Sequence, residues 1–195
     1  MRSFTRLLTL ITFSLMAGCH PGRPSFESAD ITGADFGQSF ALVDHNGKPR
    51  KLEDFRGKVV VIFFGFTHCP DVCPTTLAEL AGAVRKLGPA GDNVQVLLVT
   101  VDPARDTPEV LAKYVTAFHP KFLALRGNAD ETLRVAKEFK VIYQKVAGPR
   151  PENYTMDHSA GSYVFDRQGR LGLYVSYGRG TDVFAHDIDV LLKQS

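Results

Sequence analysis

The sequence predicts an α/β fold, a mixed sheet flanked by helices on both faces, and three observations predict it. Residues 59–64 (VVVIFF) are an unbroken apolar run of β-branched and aromatic residues, and residues 94–101 (VQVLLVTV) are a second. Runs of this kind suit central strands covered on both faces better than half-exposed ones. Between them Leu77, Leu80, Ala81, Val84 and Leu87 recur at helical spacing. Strand, helix and strand then form a βαβ unit, which implies parallel strands and a right-handed crossover. Further on, residues 162–166 and 171–177 read as two strands turned by Arg167-Gln168-Gly169, an antiparallel hairpin.

Taken in order, the chain opens on a segment unlike the rest. Arg2 and Arg6 form a basic n-region, residues 7–17 an apolar h-region, and Met16-Ala17-Gly18-Cys19 a small-residue cleavage site. A cysteine directly after such a site resembles a bacterial lipobox, with Cys19 as the lipidated N-terminus. An ordinary signal peptide or an uncleaved N-terminal helix is the alternative. Residues 1–19 are therefore assigned to a lipoprotein-type signal, and residues 20–35, rich in Pro, Gly and Ser, to a flexible tether. A coil of that length spans roughly 20–25 Å on average. Residues 36–195 remain for a single folded domain, the sensible reading for a 195-residue chain that is 44% apolar.

Charge excludes some functions. The chain carries 23 Lys+Arg against 21 Asp+Glu, and removing Arg2 and Arg6 leaves 21 against 21. A neutral mature chain argues against nucleic acid and against an electrostatic membrane surface, so membrane attachment would rest on lipid. Nothing in the sequence demands more than a monomer.

Each later element has its own signal. From Phe40 the stretch FALVDHNGKPRKLEDFRGK reads as strand, Asn46-Gly47 turn and second short strand, with His45 a surface histidine. Pro74 is placed to open the helix after the first apolar run. Thr107 and Pro108 are a good N-cap and first residue for a helix carrying Val110, Leu111, Tyr114, Val115 and Phe118. Asp102 and Arg105 follow a strand end and lie on the same rim as Cys69 and Cys73; a salt-bridged loop accounts for them better than a direct role, which stays as the alternative. Asn128 with Glu131 is a capping-box pattern. Residues 141–146 look extended, residues 147–157 (AGPRPENYTMD) read as a polar surface loop closed by His158, and Thr181 is placed to cap a last helix. This order matches a thioredoxin-like fold, with an N-terminal β-hairpin and inserted elements.

The chemistry gathers at His68-Cys69-Pro70-Asp71-Val72-Cys73-Pro74, at the carboxyl end of the first buried strand, where open α/β sheets place their sites. With Cys19 assigned to the anchor, an exported chain keeps only Cys69 and Cys73, which leaves a structural disulfide, a redox pair or a metal site. A bridge closing so short a loop adds little by loop entropy. A helix N-terminus favours thiolate over thiol, and residues four apart in a first helical turn can converge on one point. Both redox and metal chemistry stay open on the pair alone. The spacing departs from the C-x-x-C of thioredoxins, and no proline stands beside the later hairpin nearer than Pro151, which counts against a general thiol–disulfide exchanger.

Three separated motifs, FTHCPDVCP, TVDPARDTP and YTMDHSAGSYVFD, resemble the copper-binding Sco/SenC family of cytochrome oxidase assembly proteins, over residues 36–192. The resemblance implies a thioredoxin-like fold and a copper site, Cu(I) or Cu(II), made by Cys69, Cys73 and His158. It implies a metallochaperone rather than an enzyme, delivering copper to the copper A subunit of cytochrome c oxidase or exchanging it with another periplasmic copper chaperone. Such a protein would sit on the periplasmic side of the cell membrane. Two soft thiolates and one imidazole suit copper, and three ligands leave a position open for handing the metal on. Structural zinc would want a fourth protein ligand. A thiol–disulfide reductase using the same pair without copper, and a copper or redox sensor, are the alternatives. Among other candidates, His68 stands next to Cys69 and could approach the metal or point away, Met156 is a possible thioether ligand better read as filling space beneath the loop, and His119 and His186 sit in or beside amphipathic helices.

Overall fold

The structure, a computed structural model, describes residues 25–150 and 153–194. Its core is set by two strands, β4 (Val59–Gly65) and β5 (Val94–Thr100), which pair in parallel and have every residue buried. Alternation decides what covers each face, because successive side chains of a strand point to opposite sides. Phe64 packs against Phe139, while Gly65 faces Cys73 at the start of α1 (Val72–Lys86). Helix α1 in turn packs along α4 (Gly180–Lys193). Both faces of β4 are thereby closed, as its continuous apolar run requires.

The sheet grows outward from this pair. Strand β9 (Ser162–Phe165) runs antiparallel to β4, followed by β10 (Leu171–Val175) and the edge strand β1 (Ala29–Asp30). On the other side come β6 (Leu123–Arg126), parallel to β5, then β2 (Ala41–Asp44) and β3 (Pro49–Lys51), both antiparallel. The eight strands lie in the order β1-β10-β9-β4-β5-β6-β2-β3. Helices α2 (Pro108–Phe118) and α3 (Ala129–Glu138) connect the β5–β6 region to the rest. Thr107 caps α2 by accepting from the Val110 amide, and Asn128 and Glu131 form the expected capping box on α3. The Asn46-Gly47 turn joins β2 to β3, with Gly47 at φ +79°. A mixed sheet between helices in this arrangement is a thioredoxin-like fold with an N-terminal hairpin.

The structure differs from the sequence reading in four places. Helix α1 starts at Val72, not Pro74, so Cys73 lies in its first turn and Cys69 in the loop before it. Residues 155–157, read as surface loop, belong to β8 (Thr155–His158), which pairs antiparallel with β7 (Tyr143–Val146) in a separate two-stranded hairpin. Thr181 does not cap α4; the N-cap position is Arg179, and the Thr181 hydroxyl donates to the Glu79 carbonyl of α1 at 3.3 Å. The last part of the tether is seated on the domain: β1 pairs with β10, and the Glu27 and Ser28 amides donate to the Asp187 carboxylate at 2.8 and 2.9 Å. Cys19 and the signal segment lie outside the described residues. Among those described, no helix is long and apolar enough to cross a membrane.

Candidate metal centre

The carboxyl end of β4 positions the first ligand candidates. After Gly65 the chain leaves the sheet through Phe66 and Thr67, and the Cys69 amide donates back to the Phe66 carbonyl at 3.3 Å, closing a tight turn. Asp71 stands at the N-cap of α1 but makes no side-chain cap bond. The Cys69 sulfur accepts from the Cys73 amide instead, at 3.4 Å. A sulfur placed there meets free N–H donors and the positive end of the helix, both of which favour thiolate.

The two cysteines have unlike surroundings. Cys69 is half-buried and Cys73 has no exposed surface; both are free thiols. The room for Cys73 comes from Gly65, since a Cβ there would lie 2.7 Å from the Cys73 sulfur. A hydrogen bond from Cys73, helped by the Cys73 and Asp71 amides and by His158, outweighs partial burial and lowers the Cys69 thiol from 9.0 to about 5. Cys73 is pushed far above the ordinary thiol range, first by that same shared bond and then by burial. One negative charge therefore sits on the outer sulfur and one proton on the inner.

His158 arrives from the far side on β8. Its Nδ1 lies 3.0 Å from the Ser159 carbonyl, which orients the ring and turns Nε2 toward the sulfurs, 3.6 Å from that of Cys73. Phe66 packs its ring edge-on to the imidazole at 5.9 Å between centroids. The ligand atoms of Cys69, Cys73 and His158 all lie within 4.8 Å of one another, a group that can hold a metal ion.

What holds β8 in place is a clasp the sequence only half revealed. Asp102, buried to 4% exposure, pairs with Arg105 at 2.5 Å, as a salt-bridged loop should. The pair also reaches the hairpin: the Tyr154 hydroxyl donates to Asp102 at 2.7 Å, and Arg105 Nη1 donates to the Tyr154 carbonyl at 2.9 Å. The Arg105 guanidinium lies over the Tyr154 ring at 3.6 Å. Asp102 and Arg105 thus anchor the element that carries His158, across more than forty residues of chain. Tyr154 opens the YTMDHSAGSYVFD motif, but its bond to Asp102 is not readable from sequence because it exists only once the hairpin folds back over the rim.

The remaining candidates stand elsewhere. His68 is exposed, with Nδ1 3.2 Å from the Thr67 hydroxyl. Met156 is buried in the core. His119 packs on Phe122, His186 bonds Asp187, and the His45 Nδ1 accepts from the Ala124 amide.

Fold and site together define a thioredoxin-like domain with a Cys–Cys–His metal-binding cluster on its rim. Comparison with known proteins narrows this class: the SCO1/SenC family model matches residues 28–193, and the chain belongs to that family. It is 40% identical over 174 residues to the mitochondrial SCO2 homolog of Bos taurus, covering 87% of this chain and 65% of that protein. The chain thus spans just under two thirds of that relative. Among solved structures, ScoI of Bradyrhizobium japonicum with copper bound is 39% identical with a TM-score of 0.72, over 80% of this chain and 99% of that one. Yeast Sco1 with copper bound is 32% identical with a TM-score of 0.75, over 83% and 91%.

Proposed function

We propose that this chain is a copper chaperone, binding Cu(I) or Cu(II) as its cargo through Cys69, Cys73 and His158 and passing it on for assembly of the copper A centre of cytochrome c oxidase. The recipient is the oxidase's copper A subunit, directly or through another periplasmic copper chaperone. The observation that carries this reading is the convergence of two sulfurs and one imidazole nitrogen within 4.8 Å, in a family whose relatives hold copper. Thiolates suit Cu(I), and a nitrogen donor keeps Cu(II) accessible. Three protein ligands leave a coordination position for an incoming thiolate. The half-buried Cys69 lies on the side from which that thiolate approaches, while Cys73 stays behind it. Oxidation of the metal-free pair by a disulfide forms a Cys69–Cys73 bond, passes two electrons and the pair's one proton to the disulfide's sulfurs, and leaves neither cysteine sulfur as a thiolate ligand, so thiol state gates loading.

The domain faces the periplasm, held to the membrane by lipid on Cys19. The lipobox-like sequence and the neutral mature charge support this placement. Transfer is tested by mixing the copper-loaded protein with a metal-free, reduced copper A domain. The acceptor's visible copper bands should grow as the donor's fall; copper that stays on the donor contradicts delivery.

The asymmetry of the thiols favours one second reading, a thiol–disulfide reductase attacking through Cys69, with Cys73 resolving. It predicts turnover on an oxidised dithiol substrate that is indifferent to His158→Ala.

A further inference from the structure

Asp106 is the most buried carboxylate near the rim and takes no part in the clasp. It has no exposed surface, and both its oxygens are used. One accepts the Thr67 hydroxyl at 2.6 Å and the other the Thr100 hydroxyl at 2.5 Å, while the Thr67 amide points at both, 3.3 and 3.2 Å away. Thr100 ends β5, and Thr67 is the second residue after β4, two before Cys69. The carboxylate therefore ties the root of the cysteine loop to the neighbouring strand end. Its own place is fixed from behind: the Asp106 amide donates to the Asp102 carbonyl at 3.0 Å, and Arg126 donates to the Asp106 carbonyl at 3.1 Å. Thr100 also accepts the Asp102 amide at 3.0 Å, which links this tie to the clasp on the hairpin.

A buried carboxylate costs desolvation, and burial raises the Asp106 pKa, only partly offset by the bonds from Thr100 and Thr67. An apolar residue could fill the same space without that cost. What the carboxylate adds is direction: three donors from two strand ends converge on it, and one of those ends leads straight into Cys69.

We infer that Asp106, acting through Thr67, is the positioning residue for Cys69, holding its loop so that the outer sulfur stays within reach of the inner one. This rests on Cys69 and Cys73 acting as a pair, but not on the metal they hold. Holding Thr67 restricts how far Cys69 can move from the helix N-terminus, because only His68 separates them. Loosening Thr67 lowers the effective concentration of one thiol for the other.

The test uses the metal-free, reduced protein equilibrated with glutathione disulfide. One Cys69–Cys73 bond forms and the glutathione S–S bond breaks; two electrons and the one thiol proton of the pair pass to the two glutathione sulfurs, and solvent supplies the second proton. Thr67→Val keeps the shape and removes the hydroxyl donor. The expected result is a roughly tenfold less favourable equilibrium constant for the internal disulfide, the size of one hydrogen bond to a charged group. Thr67→Ser restores the donor and should return the constant to the wild-type value. Thr100→Val loosens the other tie and should have the smaller effect. An unchanged constant in Thr67→Val, or a Thr67→Ser protein that behaves like Thr67→Val, overturns the inference. A melting curve on each variant separates positioning from loss of fold. Copper titration of the wild type is independent: its failure would sink the chaperone reading and leave this one standing.

Discussion

Cys69 and Cys73 are the same residue type in two electrostatic settings, and the difference is set by single contacts. The outer sulfur accepts N–H and S–H donors at the start of α1, whereas the inner one is enclosed by Gly65 and the core. With its thiol lowered to about 5, Cys69 should alkylate with iodoacetamide at a rate already flat at pH 7 and half-maximal near pH 5. The sign follows from the thiolate being the nucleophile, so the rate falls as pH drops through the folded value. A half-maximum near the ordinary 9 would contradict the shared-proton arrangement. Cys73 should stay unmodified in the native state. The pair was legible in the sequence, as was its place at a strand end. The asymmetry was not, because it depends on α1 starting two residues before Pro74 and on the sulfur itself serving as a cap.

At the scale of elements, the hairpin of β7 and β8 is paired apart from the main sheet, and the clasp fastens it over the rim. Tyr154→Phe keeps the ring against Arg105 and removes one donor to the buried Asp102, at a cost of about 1–3 kcal/mol. Amide exchange along residues 143–146 and 155–158 should quicken, and copper affinity should fall several-fold with the thiol pair still intact. Equal affinity and unchanged exchange would show that the clasp does not position His158. Local signals were enough for β4, β5, the β2–β3 hairpin and the capped helices, since each announces itself within a dozen residues. Strand β8 did not, because TMDH has no strand pattern and is held by partners far off in the chain. The same holds for Thr181, whose hydroxyl goes to α1 rather than to its own helix.

For the whole molecule, residues 27–30 are seated on the domain, and Asp187 is the fastening between this segment and the last helix. Burial raises that carboxyl, but bonds from Ser28, Glu27 and His186 outweigh it and hold it below the ordinary 3.8. A depressed acid contributes stability that is present above its unfolded value and lost as pH falls through the folded one. Protection of the Glu27 and Ser28 amides should therefore persist from neutral pH down to the carboxylate range and vanish below it. In Asp187→Asn it should already be weak at pH 7, and full protection there would contradict the fastening. The edge strand escaped the sequence reading because two residues of pairing, Ala29 and Asp30, leave no periodicity to detect.

The metal cluster is assembled from two distant parts of the chain, the β4–α1 junction with Cys69 and Cys73 and the end of β8 with His158. The direct test is an anaerobic copper titration of the reduced domain followed by visible absorption, repeated on His158→Ala and on Cys69→Ser/Cys73→Ser. Near-stoichiometric binding is expected, with thiolate-to-Cu(II) bands altered in His158→Ala and binding lost without the cysteines. Full copper affinity in the double serine variant would contradict it.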